Sequence, residues 1–292
     1  MINDNLFSII ILTFNEEIHI ERCIRNASLV SNNIFVIDSY STDRTVEIAK
    51  KYTKNIYYGK FESFSSKLNW AIANLPISSK WTIRLDADEI FCQNFIENVC
   101  SIVESQQQSV TGIYVRRQLW FLNKWMRHGA MYPIYSLRIW RTGLVLCENR
   151  LLDEHMILKE GISILSKLDI IDNPKISINL WIQKHNKYSD TEVMNLLLDA
   201  SSSEEIKPSL FRGKQNETSR YLKNKVYYKM PLFIRAIMYF LYRYIFKLGF
   251  LDGKEGFIWH ILHGFWYRLL IDIKIFELQK TTNENFNNNG RI

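Results

Sequence analysis

Two periodicities alternate along the first ninety residues. Phe7 to Phe14 is a short run of apolar and β-branched residues, the pattern of a strand covered on both faces. Glu16 to Ser28 then sets Ile18, Ile20, Ile24 and Ala27 among charges, which predicts an amphipathic helix begun at Asn15. Ile34 to Asp38 repeats the strand pattern, and Ser41-Thr42-Asp43 reads as a helix N-terminus leading into Thr45 to Tyr52. Asn55 to Tyr58 is a weaker third strand, Ser65 to Leu75 a third helix, and Trp81 to Asp86 a fourth strand. Strands separated by single helices form parallel βαβ units, and ligands of such sheets sit at the C-terminal strand ends. Polar residues gather at those ends: Thr13 to Glu16, Asp38 to Asp43, and Asp86 to Glu89. All three groups are predicted to face one crevice.

The pattern weakens beyond residue 110. Ile113 to Val115 and Ser136 to Trp140 read as strands, and the stretch holding Trp120, Trp125, Arg127, His128 and Tyr132 as a loop lining a pocket. Ser201 to Gln215, polar and broken by Pro208 and Gly213, is the best linker. The domain reading is therefore a catalytic α/β domain over 1–200, a helical segment over 216–280, and a disordered Asn-rich tail over 281–292.

Composition adds two constraints. With 292 residues, 47% hydrophobic and 23% charged, most of the chain must fold. Cys23, Cys92, Cys100 and Cys147 show no CxxC or CxxH pairing, so neither a zinc knuckle nor a disulfide framework is expected. Met1 to Leu6 carries Asp4 and no basic run, which reads against an export leader and for a cytoplasmic protein with reduced thiols. The net charge of +7 has a location: Arg220 to Lys280 holds eleven basic and four acidic residues, together with 16 of the 40 aromatics, whereas the remainder of the chain is balanced.

The strand ends carry the candidate chemistry. Asp86-Ala87-Asp88 places two carboxylates at i and i+2, which on an extended chain lie on one side; the pair is either a solvated acidic turn or a site for Mg²⁺ or Mn²⁺ with positions left for phosphate oxygens. Asp38, directly after Phe35-Val36-Ile37, sits where α/β nucleotide folds place an acid for a ribose or base. A dinucleotide fold would need G-x-G-x-x-G after the first strand, and a P-loop G-x-x-x-x-G-K-S/T; neither occurs. The phosphates of a nucleotide would thus be met by a metal and side chains rather than a glycine cradle.

Thr13-Phe-Asn-Glu16, Ile37-Asp-Ser-Tyr-Ser-Thr-Asp43-Arg-Thr45, Lys67-x-Asn69-Trp-Ala71 and Leu85-Asp-Ala-Asp-Glu89 together resemble, in order and spacing, the signatures of family 2 glycosyltransferases with the GT-A fold. The resemblance implies that Thr13, Glu16 and Asp38 contact the nucleoside, that Lys67 and Asn69 lie near the base or diphosphate, that Asp86 approaches the ribose or metal, and that Asp88 is the principal metal ligand. The residues themselves leave Lys67 open between a solvated helix charge and a ligand contact, and favour helix capping for Ser41 and Asp43. The family draws its base from an acidic motif later in the domain. Here Leu151-Leu152-Asp153-Glu154-His155 is the cluster of that kind, so Asp153 or Glu154 is the expected catalytic base, with His155 either a further metal ligand or structural. The Gln-x-x-Arg-Trp motif of processive synthases is absent, which implies single-sugar transfer. Trp181 to Ser189 is similar to an element of lipopolysaccharide and exopolysaccharide transferases, where it builds the acceptor side; His185 and Tyr188 read equally well as packing residues.

The basic, aromatic C-terminal segment completes the reading. From Leu232 to Phe246 nearly every residue is apolar, and Lys229, Arg235, Arg243 and Lys247 fall within an arc of about 120° on a helical wheel. The longest uncharged run, Gly256 to Tyr267, is too short to span a bilayer. The segment reads either as an interfacial helix on an anionic membrane or as a core helix pair, and not as a nucleic-acid surface. The combined expectation is a Rossmann-like GT-A hexosyltransferase of EC class 2.4 with a membrane-associating helical C-terminus, peripheral to the inner face of the cell membrane. It would use a nucleotide-diphosphate sugar donor and a glycolipid or lipid-linked acceptor in lipopolysaccharide or polysaccharide biosynthesis. Rivals are a nucleotidyltransferase, which normally has a Gly-rich basic loop missing here, a DxD phosphohydrolase, and an inactive membrane-bound scaffold.

Overall fold

The computed structural model describes residues 3–61, 63–148, 155–201 and 227–289. The chain divides into two compact units, one of residues 1–125 and 131–175, the other of residues 126–130 and 176–292.

The first unit is mixed α/β. Strands β1 (Phe7–Thr13), β2 (Ile34–Asp38), β3 (Ile56–Tyr58) and β4 (Trp81–Asp86) are parallel neighbours in the order β3-β2-β1-β4. Helices α1 (Ile20–Ala27), α2 (Thr45–Ala49) and α3 (Phe64–Asn74) make the crossovers. Every residue of β1 and β2 is buried, which explains their unbroken apolar runs. Ile9, Ile11, Val36, Ile83 and Leu85 join Ile20, Cys23 and Ile24 of α1 on one face, while Ile10, Leu12, Phe35 and Ile37 meet Leu68 and Ala71 of α3 on the other.

Beyond β4 the sheet turns mixed. After β5 (Glu89–Phe91) and α4 (Gln93–Glu104), β6 (Val110–Phe121) runs antiparallel to β8 (Ile134–Arg141), which in turn lies antiparallel to β4. A short β7 (Lys124–Trp125) folds back on β6. β9 (Val145–Cys147) and β10 (Met156–Leu158) form a separate ribbon, and β11 (Ile162–Asp172) pairs with β6 and β5. The expected loop around Trp120 is thus partly a strand hairpin.

The second unit is helical: α5 (Ile178–Ser201), α6 (Ile234–Leu241) continued by a π-helical turn Tyr242–Phe246, α7 (Gly253–Trp259) continued by a π-helical stretch His260–Trp266, and α8 (Tyr267–Asn289). Val193 of α5 packs on Tyr267 and Ile271 of α8, so the unit boundary falls at 175/176 rather than near residue 200, where the sequence put it. The polar stretch 281–289, expected to be disordered, instead extends α8, because elongating an existing helix escapes the cost of nucleating one. The expected linker lies outside the described residues beyond position 201. Residues 126–130 are fixed within this unit: the Gly129 N–H donates to the Lys247 carbonyl (2.8 Å), Arg243 Nε donates to the Gly129 carbonyl (2.7 Å), and the His128 N–H and ring Nδ1 meet the buried Asp252 carboxylate (2.9 and 2.7 Å). Gly129 has φ +67°, and a Cβ there would lie 2.2 Å from the His260 ring.

No described helix is long and apolar enough to cross a membrane.

Candidate active site

Parallel register brings the strand ends together. Thr13 is opposite Asp38, and Leu12 opposite Asp86, so Thr13, Asp38 and Asp86 occupy one edge of the sheet. Two loops above this edge are stitched side by side. Asn15, at φ 55°, donates its N–H to Ser41 Oγ (2.9 Å) and accepts from the Thr42 N–H (2.8 Å); Glu16 N–H donates to Thr45 Oγ1 (2.7 Å) and Glu17 N–H to Asp43 (3.1 Å). Asp43 also accepts from the Thr45 N–H and hydroxyl, closing a local turn ahead of α2; the N-cap position itself is Arg44, without a side-chain cap, so neither Ser41 nor Asp43 caps the helix as expected. Ser41 donates to the fully buried Asp38 carboxylate through both its N–H (2.7 Å) and its hydroxyl (2.5 Å). Glu16 is tied to the buried His19: the His19 Nε2 accepts from the Lys175 N–H (3.1 Å), which leaves Nδ1–H to donate to Glu16 (2.6 Å).

Lys67 is not a solvated helix charge. Its buried ammonium reaches the end of β1 and donates to the Thr13 carbonyl (2.6 Å), with Asp38 and Asp86 close enough to act on it. Burial lowers its pKa to about 8, against the opposing pull of those two acids. The Thr13 hydroxyl beside it is buried with no hydrogen-bond partner. Asn69, two positions past Lys67 on α3, faces elsewhere: its amide donates to the Cys147 carbonyl and accepts from the Cys147 N–H, both at 2.8 Å. It pins β9, the strand from which the 149–154 segment departs.

The two aspartates of the DxD run are in contrasting surroundings. β4 ends at Asp86, and Ala87 and Asp88 form a turn before β5, so the alternation that would align them on one side stops between them. Arg84 Nε and a terminal nitrogen hold the Asp86 oxygens (3.1 and 3.0 Å), and Arg138 adds two contacts at 3.2 Å. Burial opposes the charged form of Asp86, but the two guanidiniums prevail and hold it well below the usual carboxylate range. Arg138 also donates to buried Glu89 at 2.6 Å, and Glu89 accepts from the Asp86 N–H at 3.0 Å. Burial nonetheless raises Glu89 to about 7. Asp88 has no such cation on its carboxylate; burial, followed by Asp172, Glu89, Asp86 and Glu16, pushes it well above the usual range. Arg22 donates to the Asp88 and Asn173 carbonyls (2.7 and 2.5 Å) and so fixes the turn; its charge also acts on the Asp88 side chain, without an ion pair to it.

A carboxylate crowded by like charge and lacking a salt-bridge partner fits a divalent cation. Of the DxD pair Asp88 meets that description; both Asp86 oxygens are already engaged. Among the described residues no three His, Cys, Asp or Glu side chains form a metal cage. His155 sits at the root of the β9-β10 ribbon, its N–H on Glu148 (3.3 Å) and its Nδ1 3.6 Å from the same carboxylate. Asp153 and Glu154 lie outside the described residues.

Arg84, Arg138 and Arg22 were not singled out from sequence. Arg84, two positions before Asp86 on one strand face, was the one with a legible signal; Arg138 comes from β8, 52 residues later, and needs the antiparallel β4-β8 pairing to be placed.

The sequence profile of glycosyl transferase family 2 matches residues 8–159, just over half the chain. An uncharacterized glycosyltransferase of Rickettsia typhi is 23% identical over 264 residues, covering 88% of this chain and 82% of its own. The glycosyltransferase SunS of Bacillus subtilis is 31% identical over 83 residues, covering 28% of this chain and 19% of SunS. Among solved structures, glucosyl-3-phosphoglycerate synthase of Mycobacterium tuberculosis, in complex with Mg²⁺ and uridine diphosphate, aligns with a TM-score of 0.33 and 19% identity over 39% of this chain; the chain covers 44% of that structure. The profile match runs from β1 through β10 and takes in each of the strand ends described above. The chain belongs to glycosyl transferase family 2.

Proposed function

We propose that the protein is an inverting hexosyltransferase of the GT-A type that moves a single sugar from a nucleoside-diphosphate sugar to a lipid-linked or lipopolysaccharide-type acceptor at the cytoplasmic face of the cell membrane. The observation that supports this most is the sheet edge where the Lys67 ammonium meets the Thr13 carbonyl, buried Asp38 and Asp86 at the ends of parallel strands, with the acid-crowded Asp88 in the turn that follows β4.

In this reading Asp38 and Thr13 hold the nucleoside, and Lys67 offers positive charge to the diphosphate. Asp88 would hold Mg²⁺ or Mn²⁺, which when bound neutralises the diphosphate. Arg84 and Arg138 keep Asp86 charged and fixed. In the transfer, an acceptor hydroxyl oxygen bonds to the anomeric carbon from the face opposite the diphosphate. The bond from that carbon to the phosphate oxygen breaks, its electron pair leaves on the nucleoside diphosphate, and the acceptor proton passes to Asp153 or Glu154. Attack from the opposite face inverts the anomeric centre.

The test is binding of a panel of nucleoside diphosphates and nucleotide sugars to purified protein with and without Mn²⁺ or Mg²⁺, beside Asp88→Ala. Metal-dependent binding of one nucleotide class, lost in the variant, supports the reading and names the donor. A folded protein that binds none of them moves the assignment to an inactive scaffold.

A further inference from the structure

The helix α6 and the π-turn after it are built inside out. Arg235 and Arg243, 3% and 6% exposed, point into the helical unit. Arg235 donates to Asp272, itself fully buried, at 2.7 Å; Arg243 donates to the Gly129 carbonyl and to the Tyr239 hydroxyl. The opposite face carries Ile234, Ile237, Met238, Tyr242, Ile245 and Phe246, all exposed, with Phe246 at 75%. Their spacing of three and four residues makes a continuous stripe. The expected basic stripe therefore splits: its two middle members are internal ion-pair and hydrogen-bond partners, and only Lys229 and Lys247 remain outside.

The stripe does not end with the helix. Phe233 meets Phe276 of α8 with ring centroids 5.9 Å apart, and Tyr244 meets Phe250 (6.2 Å) and Phe257 (5.7 Å), so exposed aromatic surface continues on both flanks. Its borders are mainly cationic. Lys229, Lys247 and Lys254 are exposed, against exposed Glu277 beside Phe276 and half-buried Glu255 beside Lys254, whereas Asp252 and Asp272 are buried and occupied by His128 and Arg235. Apolar surface of this extent on a folded unit is a contact surface.

We infer that this face is the membrane-docking surface of the protein, lying in the plane of an anionic lipid leaflet with Phe246 and the Ile237 stripe among the acyl chains and Lys229, Lys247 and Lys254 at the headgroups. The inference rests on the proposed membrane-held acceptor and adds which face meets the lipid. The charge pattern selects this occupant. An apolar face bordered by lysines would bring like charges together in a self-pairing dimer, but is complementary to phosphates above hydrocarbon. With no described helix able to span, docking is in-plane and reversible.

The experiment is flotation of the full chain with vesicles of phosphatidylglycerol mixed with phosphatidylcholine, and of phosphatidylcholine alone, across a salt series, with light scattering of the free protein. The wild type should float with the anionic vesicles and be released by salt. The variant Ile237→Asp/Phe246→Ser should bind at least roughly tenfold more weakly, and Lys247→Glu/Lys254→Glu should lose the preference for phosphatidylglycerol. Circular dichroism and metal-dependent binding of nucleoside diphosphate are followed in the same samples. Both substituted pairs are exposed, so folding and nucleotide binding should be unchanged. Wild-type protein that binds nucleotide yet ignores both vesicles overturns the docking face while leaving the transferase reading intact. Vesicle binding without nucleotide binding does the reverse. Concentration-dependent dimers abolished by Ile237→Asp/Phe246→Ser would give the face to a second copy and also overturn the inference.

Discussion

Asp86 and Asp88 stand two positions apart and differ in what holds them: two guanidiniums grip Asp86, whereas the side chain of Asp88 is surrounded by acids. One carboxylate belongs to a finished internal network, and the other has no guanidinium bound to it. Their substitutions should therefore separate stability from function. Arg138→Met strips Asp86 and Glu89 of a buried cation and should lower unfolding stability by about 3 kcal/mol, the scale of a broken buried ion pair. Asp88→Asn removes a crowded negative charge and should leave stability unchanged or raised while abolishing metal-dependent nucleotide binding. Urea denaturation of both variants, with nucleotide titrations, decides the matter. Equal destabilisation by the two would refute the contrast.

Lys67 gives a second separation. Its ammonium is buried and depressed to about 8, so keeping it charged opposes folding. Between pH 8 and 10.5 the unfolded chain carries more protons on Lys67 than the folded one, and this group's contribution to stability rises with pH through that window. Lys67→Met should thus fold at least as well as wild type at pH 7 and lose much of that alkaline gain, while binding nucleoside diphosphate about tenfold or more weakly for want of the cation. Thermal melts at pH 7 and pH 10, paired with calorimetric titration, provide the check. Unchanged affinity would remove Lys67 from the site.

The strands that assemble this edge were legible because each is an unbroken apolar run ending in polar residues, and a buried parallel strand requires that pattern. Thr13, Asp38 and Asp86 could be placed together on that basis alone. What escaped was non-local. Lys67 stayed open between a solvated charge and a ligand contact because helical periodicity cannot say what covers a face, and the covering here is the end of β1. Arg138 is brought to Asp86 by a pairing between strands some fifty residues apart. The inward turn of Arg235 and Arg243 was equally hidden: a helical wheel shows that they share a stripe, but only Asp272 and the Gly129 carbonyl, from distant segments, explain why that stripe faces in.

Asn69 should act at a distance from the donor. Its amide makes a matched pair of hydrogen bonds with the Cys147 backbone, holding the strand that leads into the segment with Asp153 and Glu154. Asn69→Leu removes both of these hydrogen bonds to the Cys147 backbone, at a cost of about 2 kcal/mol. If the proposed base is Asp153 or Glu154, donor affinity should persist and the transfer rate should fall, because β9, the strand before that segment, loses its tie to α3. Loss of nucleotide affinity in parallel with the rate would mean that Asn69 contacts the donor after all.

The helical unit should be the acid-labile part of the protein. His185 and His260 are lowered by burial to about 4, and His263 well below its ordinary value. Lys184 faces His185; Arg243 opposes and Asp252 favours protonation of His260; Arg268 and Arg243 oppose it at His263. His263 is stacked between Trp259 (4.7 Å) and Tyr267 (5.8 Å), and both His260 nitrogens are buried without partners, so neither ring has a place for a second proton. Between pH 6.5 and 4 the unfolded chain takes up protons that the folded unit refuses. The stability these groups contribute is present above 6.5 and lost as the pH falls through that window. Hydrogen exchange at pH 7 and pH 5 should therefore show α5, α7 and α8 losing protection before β1, β2 and β4. His263→Phe, which preserves the stack without a titrating ring, should flatten part of the dependence. Uniform loss across both units, or an unchanged slope in His263→Phe, would show that these buried rings do not set the acid limit.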